Sequence, residues 1–286
     1  MKTGVVHSIA SSKWLVVRLA LLAAAFGLTA AQAVAQADHP IEILTRAHAH
    51  NDYEHHRPLF DALDNGLCSV EADIFLIDGQ LLVAHTRSEV RPERTLQSLY
   101  LDPLRKRIQE QGGRLYRGGP PGILLIDIKT AAEPTYAALR EVLKQYADLF
   151  TTFQDGKIDA KALTAVITGD RPTQAAVAAE PIRYAELDGQ LPDLDSDVPK
   201  ELVPWISADW AGQFKWRAKG PFPDDERAKL KKMVAKAHAH GRQIRFWDAP
   251  DVPVFWEMLL AEDVDLINTD DLAGLQKFFW EKKHLK

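Results

Sequence analysis

Two acidic residues, Glu71 and Asp73, stand two positions apart inside an apolar stretch that runs from about residue 68 to residue 74. The stretch has the pattern of a buried strand, in which side chains at alternate positions share one face. Both carboxylates therefore point the same way. Carboxylates that are buried together repel each other and lose hydration, and a hard divalent cation is the simplest compensation. The spacing thus indicates a metal site.

Histidines bracket this pair of acids in the chain. His48 and His50, followed by Asn51, come after an apolar run that ends at Leu44. Downstream, a short Asp-Gly turn leads into LLVAH, a hairpin-like segment that ends on His85. Histidine titrates near neutral pH, so imidazoles beside a metal site suggest acid–base chemistry.

The rest of the chain alternates between strand-like and helix-like segments, with no linker of low complexity and no detectable repeat. Counted from Ile41, and without the LLVAH segment, eight strand-like runs are mostly separated by amphipathic helical patterns. This count predicts an α/β fold consisting of a single (β/α)8 TIM barrel. A doubly wound open sheet would share the alternation, but no glycine-rich dinucleotide motif follows the first strand.

Enzymes with this barrel place their functional groups at the carboxyl ends of the strands. The candidate residues would then meet at one mouth of the barrel. His48, His50 and Asn51 would follow strand one, Glu71 and Asp73 would end strand two, Asp127 and Lys129 would end strand three, and Trp247 would end strand seven.

The first 37 residues have the pattern of a secretory signal peptide. Basic residues without an acid precede a short apolar segment at 19–28, and AAQAVAQA then offers cleavage after Ala35 or Ala37. The short apolar segment favours cleavage over a retained membrane anchor. We therefore expect a barrel domain over residues 38–286 that is exported, either to the periplasm or outside the cell.

Composition excludes several classes of protein. The chain has 286 residues and a net charge of −5, with no basic tract, which argues against non-specific nucleic-acid binding. No second apolar stretch is long enough to span a membrane after the signal is removed. Cys68 is the single cysteine, so an intramolecular disulfide is excluded, and a buried apolar role fits its place in a strand.

The ordered set of motifs resembles the phosphatidylinositol-phospholipase-C-like phosphodiesterases, and within them the glycerophosphodiester phosphodiesterases and the sphingomyelinase D-type phospholipases. The shared elements are AHAHND after strand one, EADIFLIDGQLLVAH, DIK on strand three, and FWDAPD followed by VDLINTD. The H-x-x-N spacing of His48 and Asn51, and the D-x-K of strand three, are more similar to the sphingomyelinase D branch. The P-E-N-T motif of the glycerophosphodiesterases is absent.

The resemblance implies a mechanism and a substrate class. Mg2+ or Ca2+ would be held by Glu71, Asp73 and Asp127, and Lys129 would add a positive charge beside the phosphate of a small-molecule or lipid phosphodiester. His48 and His85 would share the acid and base work. In relatives whose substrate carries a suitable hydroxyl, a cyclic phosphate forms. The substrate-binding residues would be His50, Asn51, Lys129 and Trp247.

Two other functions are compatible with parts of the pattern. The His48-Ala-His50 pair could hold zinc, as in a metal-dependent amidohydrolase, although the later strands lack the histidines that such a site needs. A noncatalytic barrel that binds lipid or phosphate is the second alternative. The joint presence of both histidines, the acids and Lys129 argues against it.

Overall fold

Eight parallel strands close into a barrel, as the alternation of the sequence predicts. The computed structural model describes Met1 and residues 41–284, so the signal peptide predicted at 1–37 lies outside the described residues. Residues from Ile41 onward form one compact unit. The strands are β1 (Leu44–Ala49), β2 (Leu67–Ile77), β3 (Gln80–Val83), β4 (Gly122–Ile128), β5 (Thr152–Gln154), β6 (Lys157–Asp159), β7 (Leu163–Gly169), β8 (Glu186–Gly189), β9 (Trp205–Asp209), β10 (Gln243–Trp247) and β11 (Leu266–Thr269).

Barrel closure follows from the order of the strands. Hydrogen bonding runs β1-β11-β10-β9-β8-β7-β4-β2, and a further parallel pairing of β1 with β2 closes the ring. The three strands outside this order form short hairpins: β3 pairs antiparallel with the end of β2, and β5 pairs antiparallel with β6. Since the barrel strands are parallel, their carboxyl ends all lie at one mouth.

Helices cover the outside of the barrel and close the connections between parallel strands. They are α1 (Phe60–Asp64), α2 (Asp102–Glu110), α3 (Ala132–Gln145), α4 (Gln174–Ala178), α5 (Trp210–Gln213), α6 (Asp224–Ala239), α7 (Pro253–Ala261) and α8 (Leu272–His284). Their apolar faces have helical spacing: α3, for example, buries Tyr136, Leu139 and Leu143 against the sheet. Within the described residues, no helix is both long and apolar enough to cross a membrane.

The first strand runs further than the sequence suggests. The apolar run from Ile41 to Leu44 predicted a strand that ends before His48, but β1 continues through Ala49 and contains that histidine. Ala47 and Ala49 are fully buried on the outer face of the barrel. Because alanine is only weakly hydrophobic, these two residues did not mark the strand in the sequence. The prediction that His48 follows strand one is therefore wrong.

The interior of the barrel is apolar only at the amino-terminal end of the strands. There Leu125, Val166, Trp205 and Leu266 form a small buried cluster that fills the bottom of the ring. Trp205, the largest side chain of this cluster, is 1% exposed. Above the cluster, the inward-facing residues are polar or charged, and this polar layer forms the base of the candidate site.

Candidate active site

A cavity of about 840 Å³ opens at the carboxyl ends of the barrel strands. Its walls combine residues from both the strands and the loops that follow them. Seven of the nine predicted site residues line it: His50, Asn51, Glu71, His85, Asp127, Lys129 and Trp247. Asp73 lies directly beside it, against Lys129. The barrel thus gathers groups that lie more than 190 residues apart in the chain.

Three carboxylates form the centre of the site. Glu71 and Asp73 point into the barrel from β2, and the parallel register sets Asp73 beside Asp127 of β4. One oxygen from each of the three residues lies within 4.8 Å of the others. The sequence prediction that these acids share one centre is confirmed in its geometry.

Positive charge already compensates part of this acidic cluster. The Lys129 ammonium lies 2.7 Å from Asp127 Oδ2 and 3.0 Å from Asp73 Oδ2. Burial and the negative charges of Asp127 and Glu71 nevertheless raise the pKa of Asp73 to about 7, because together they outweigh the opposing charge of Lys129. Burial also raises the pKa of Asp127. Negative charge at the centre is therefore under-compensated.

The carboxylate oxygens fit a hard divalent cation. Asp73 Oδ1, Asp127 Oδ1 and Glu71 Oε2 are buried without a hydrogen-bond donor in the part of the chain that is described. Unpaired buried carboxylate oxygens are costly, and three of them around one point match the all-oxygen donor set that Mg2+ and Ca2+ prefer. These three residues could therefore hold such an ion.

An arginine faces the acidic cluster. Arg245 of β10 is buried inside the barrel, and its charge lowers the pKa of both Glu71 and His48. Burial alone would raise the pKa of Glu71, but the nearby His48 ring, with Nε2 at 3.5 Å, and the Arg245 charge outweigh it and bring the pKa to about 2. Glu71 is thus the carboxylate held most firmly in its ionised form.

His48, predicted to transfer protons, does not reach the cavity. Its side chain is 0% exposed, with Nδ1 2.7 Å from Ser69 Oγ, Nε2 3.5 Å from Glu71 Oε2 and its ring edge against Trp205. Burial, aided by Arg245, lowers its pKa to about 4, so the ring is neutral at physiological pH. His48 still lies within β1 and points into the barrel below the cavity, and this placement suits support of Glu71 rather than contact with a substrate.

His50 takes the exposed position instead. It lies just beyond the end of β1 and lines the cavity, with Nδ1 2.9 Å from Asp270 Oδ1. Burial lowers its pKa, but the hydrogen bond and charge of Asp270, together with Glu71, more than offset that effect and leave the pKa raised. Because Nδ1 donates to Asp270, Nε2 is the nitrogen left for a ligand.

The loop that carries Asp270 is held firmly. Both oxygens of Asp251 accept from the Thr269 hydroxyl, and Oδ2 also accepts from the backbone amides of Asp270 and Asp271. Thr269 in turn accepts from the His50 backbone amide through its carbonyl, at 3.0 Å. The His50 and Asp270 pair is thus fixed from both sides.

His85 forms a second histidine–carboxylate pair at the mouth. The β2–β3 hairpin turns the chain back so that Nδ1 of His85 lies 3.0 Å from Glu54 Oε1. About half of each side chain is exposed, and His85 lines the cavity. The sequence pattern had singled out His85, but it gave no indication of Glu54, which belongs to a short helical turn after β1.

Asn51 and Trp247 border the same cavity. Asn51 has a left-handed backbone, with φ of 46°, and its Oδ1 accepts a 2.6 Å hydrogen bond from the Tyr53 hydroxyl. Trp247 is one of the few large apolar side chains that are exposed, at 42%, and it stands at the end of β10. Both positions are compatible with the predicted contact to a substrate.

The histidines that a zinc amidohydrolase would need are elsewhere. His238 and the neighbouring His240 lie at the carboxyl end of α6, which precedes β10 and therefore lies at the opposite end of the barrel. His238 Nε2 pairs with Asp265 there, at 2.9 Å. Among the described residues, the grouping that could hold a metal is the carboxylate cluster.

Sequence reasoning missed three polar residues that complete the cavity: Asp188, Arg245 and Asp270. Each had a signal, since Asp188 and Asp270 stand at or just after the end of a predicted strand, and Arg245 shares the alternation of Trp247 on β10. Strand ends in a barrel are where functional groups gather. The same rule that selected Asp127 would have selected these residues.

Comparison with known proteins gives consistent results. A family model for an AIM6-like phosphodiesterase domain matches residues 39–116. The chain is 32% identical over 283 residues to Altered inheritance of mitochondria protein 6 of Eremothecium gossypii, covering 86% of this chain and 72% of that protein. It is 28% identical over 261 residues to the homolog in Arthroderma benhamiae, covering 81% of this chain and 83% of that one.

Solved structures show the same fold. A crystal structure of a glycerophosphodiester phosphodiesterase from Parabacteroides distasonis superimposes with a TM-score of 0.50 at 16% sequence identity, covering 84% of this chain and 96% of that one. At this level of identity the likeness supports the barrel architecture, while the chemistry has to be argued from the residues in the cavity.

Proposed function

Because the chain belongs to the AIM6-like phosphodiesterase family, within the PI-PLC-like TIM-barrel superfamily, we propose that it is a metal-dependent hydrolase of glycerophosphodiesters or phospholipid headgroups. One observation carries the proposal: three carboxylates and two histidine–carboxylate pairs border a single cavity. Phosphodiester cleavage needs these parts, namely charge stabilisation at phosphorus and proton transfer at two oxygens.

Glu71, Asp73 and Asp127 would hold the metal ion, Mg2+ or Ca2+, through the oxygens that lack other partners. When bound, such an ion supplies Lewis-acid stabilisation of the negative charge that develops on a phosphate oxygen. Lys129, which lines the cavity beside two of these carboxylates, adds a second positive charge for the same oxygen. His48 would act on the substrate only indirectly, by keeping Glu71 ionised and in place.

His50 and His85 would carry the proton transfers, so we propose His50 in the role that the sequence pattern gave to His48. The raised pKa of His50 favours its protonated form, which suits a general acid. His85 would accept the proton of the attacking hydroxyl as the new O–P bond forms. His50 would give its proton to the departing alcohol oxygen as the old P–O bond breaks, so protons balance over the step.

The attacking hydroxyl can belong to water or to the substrate itself. A neighbouring hydroxyl of the substrate would give a cyclic phosphate, whereas water would give a phosphomonoester. Trp247 and Asn51 would hold the alcohol portions of the substrate at the mouth, since both border the cavity. Export to the periplasm or outside the cell, expected from the leader sequence, is part of the proposal.

A screen of purified protein with phosphorus NMR tests this function. Glycerophosphodiesters, lysophospholipids, sphingomyelin and phosphoinositol lipids are incubated with the protein, with Mg2+ or Ca2+ or with chelator. We expect turnover of at least one substrate, abolished by chelator and restored by one of the ions, and the spectrum distinguishes a cyclic product from an open one. Absence of any turnover with either ion would refute the proposal.

A further inference from the structure

A fourth acidic residue, Asp188, stands on the wall of the cavity that faces the carboxylate cluster. It lies on β8, three strands from β2 around the ring, and lines the cavity although it is only 3% exposed. Its Oδ2 accepts a hydrogen bond of 2.9 Å from the Thr168 hydroxyl. The proposed proton transfers and the proposed metal site leave this residue without a function.

The other oxygen of this carboxyl group has no donor. Asp188 Oδ1 is buried and makes no hydrogen bond to any residue that the structure describes. Burial raises the pKa of Asp188 to about 6, against the opposing effects of the Arg245 charge and of the Ser207 and Thr168 hydroxyls. The Ser207 hydroxyl accepts from Arg245 Nε at 2.7 Å, and it makes no hydrogen bond to Asp188 Oδ1. A buried acceptor without a partner is costly unless a ligand supplies the donor.

The positive charge of Arg245 limits which kind of hydrogen-bond donor could reach Asp188 Oδ1. Arg245 Nη2 lies 3.9 Å from Asp188 Oδ2, and both side chains are 4% exposed. Its Nη1 donates to Asn268 Oδ1, so the guanidinium neutralises the carboxylate without satisfying Oδ1. With a positive charge so close in a buried setting, a second cation would be repelled, whereas a neutral hydroxyl would not.

We propose that Asp188 is a specificity-determining residue that accepts a hydrogen bond from a free hydroxyl on one of the two alcohols of the phosphodiester. This inference rests on the proposed phosphodiesterase function and narrows its substrates to diesters of a polyol, of which glycerol is the simplest. Choline carries no N–H or O–H donor and bears a positive charge, so it cannot satisfy Oδ1.

Matched synthetic substrates test the contact in the wild-type protein. The p-nitrophenyl phosphodiesters of 2,3-dihydroxypropanol, propanol, ethanolamine and choline share one leaving group and differ in the donor they offer. Hydrogen bonds to a charged group support an expected advantage in kcat/KM of roughly 10- to 100-fold for the dihydroxypropyl ester over the propyl ester. Equal rates for these two esters, or a preference for the choline or ethanolamine ester, would overturn the inference.

Two variants assign the preference to this residue. In Asp188→Ala, the ratio of kcat/KM between the dihydroxypropyl and propyl esters should fall towards one, and in Asp188→Asn, which keeps an oxygen acceptor without the charge, it should fall by less. Asp159→Asn is the matched control, because Asp159 lies in an exposed hairpin and pairs with Lys161. It should keep the wild-type ratio. A ratio that survives in both Asp188 variants would show that another group recognises the hydroxyl.

Binding separates this inference from the proposed function. Calorimetry with glycerol 3-phosphate and with propyl phosphate measures the hydroxyl contact without any turnover. Preferential binding of glycerol 3-phosphate, lost in Asp188→Ala, with no ester cleaved, would refute the phosphodiesterase function and retain the contact. Cleavage of both esters at equal rates, with equal binding of the two phosphates, would retain the phosphodiesterase function and refute the contact with Asp188.

Discussion

Replacing Asp73 by Asn should make the metal-free protein more stable at alkaline pH. Asp73 is 1% exposed, and burial, with the charges of Asp127 and Glu71, raises its pKa from 3.8 to about 7. The folded state therefore binds a proton more tightly than the unfolded chain does. Stability from this group is complete below pH 3.8 and is lost as the pH rises through 7.

The pKa values set the size of the effect. A rise from 3.8 to about 7 corresponds to roughly 4 kcal/mol of unfolding free energy lost over the whole titration, since one pKa unit equals about 1.4 kcal/mol. Between pH 5 and pH 8 the share of Asp73 is roughly 3 kcal/mol. Asn keeps the shape of the side chain but cannot ionise, so the unfolding free energy of the variant should not fall through this titration.

Urea unfolding at several pH values, in chelator, measures the difference. The wild-type free energy of unfolding should fall more steeply between pH 5 and pH 8 than that of Asp73→Asn, by roughly 3 kcal/mol. Asp159→Asn, in the exposed hairpin, should follow the wild type. Parallel curves for wild type and Asp73→Asn would show that the carboxyl is not strained in the empty site.

Adding an ion to the same samples tests the cation site. Saturating Mg2+ or Ca2+ should raise the wild-type stability at pH 8, by about 2.7 kcal/mol at a concentration 100 times the Kd. The effect in Asp73→Asn should be much smaller because one ligand charge is missing. If neither ion shifts the wild-type melting temperature, the metal site has to be abandoned.

Three further predictions concern the histidines. His50→Ala and His85→Ala should each reduce kcat by about 10²- to 10⁴-fold with little change in melting temperature, because each loses a proton-transfer group at the open cavity; a wild-type rate for either would contradict its role. His48→Ala should instead lower the unfolding free energy by about 1–3 kcal/mol in urea titrations, since the buried Ser69 loses its hydrogen bond with His48 and Glu71 loses the adjacent ring. Asp270→Asn should lower the pKa of His50, seen by NMR titration and as a shift of the alkaline limb of the pH–rate profile to lower pH, and an unchanged pKa would exclude the pairing.

The sequence by itself determined the fold and the centre of the site. Alternating strand and helix patterns predicted the (β/α)8 barrel, and a period of two placed Glu71 and Asp73 on one face of their strand. The strand-end rule brought Asp127 and Lys129 to the same mouth, and the structure agrees. Each of these features depends on the spacing of residues within a single strand or helix, so it can be read from that segment of the sequence alone.

The tertiary structure decided which histidine meets the substrate cavity. His48 and His50 are two residues apart and look equivalent in the chain, yet one is 0% exposed and the other lines the cavity. The difference is one of depth along the barrel axis, since β1 ends between them at Ala49. Depth depends on where the strand stops and how it is staggered against its neighbours, which periodicity does not specify.

The partners of the charged groups were also decided by the closed barrel. Asp270 reaches His50 across 220 residues of chain, and Arg245 faces Glu71 only because strands β10 and β2 lie on the same closed ring. A pattern in one segment shows that a charge points inward, but not which opposite charge it will meet. That pairing depends on the order and register of all eight strands, so it exists only once the barrel has closed.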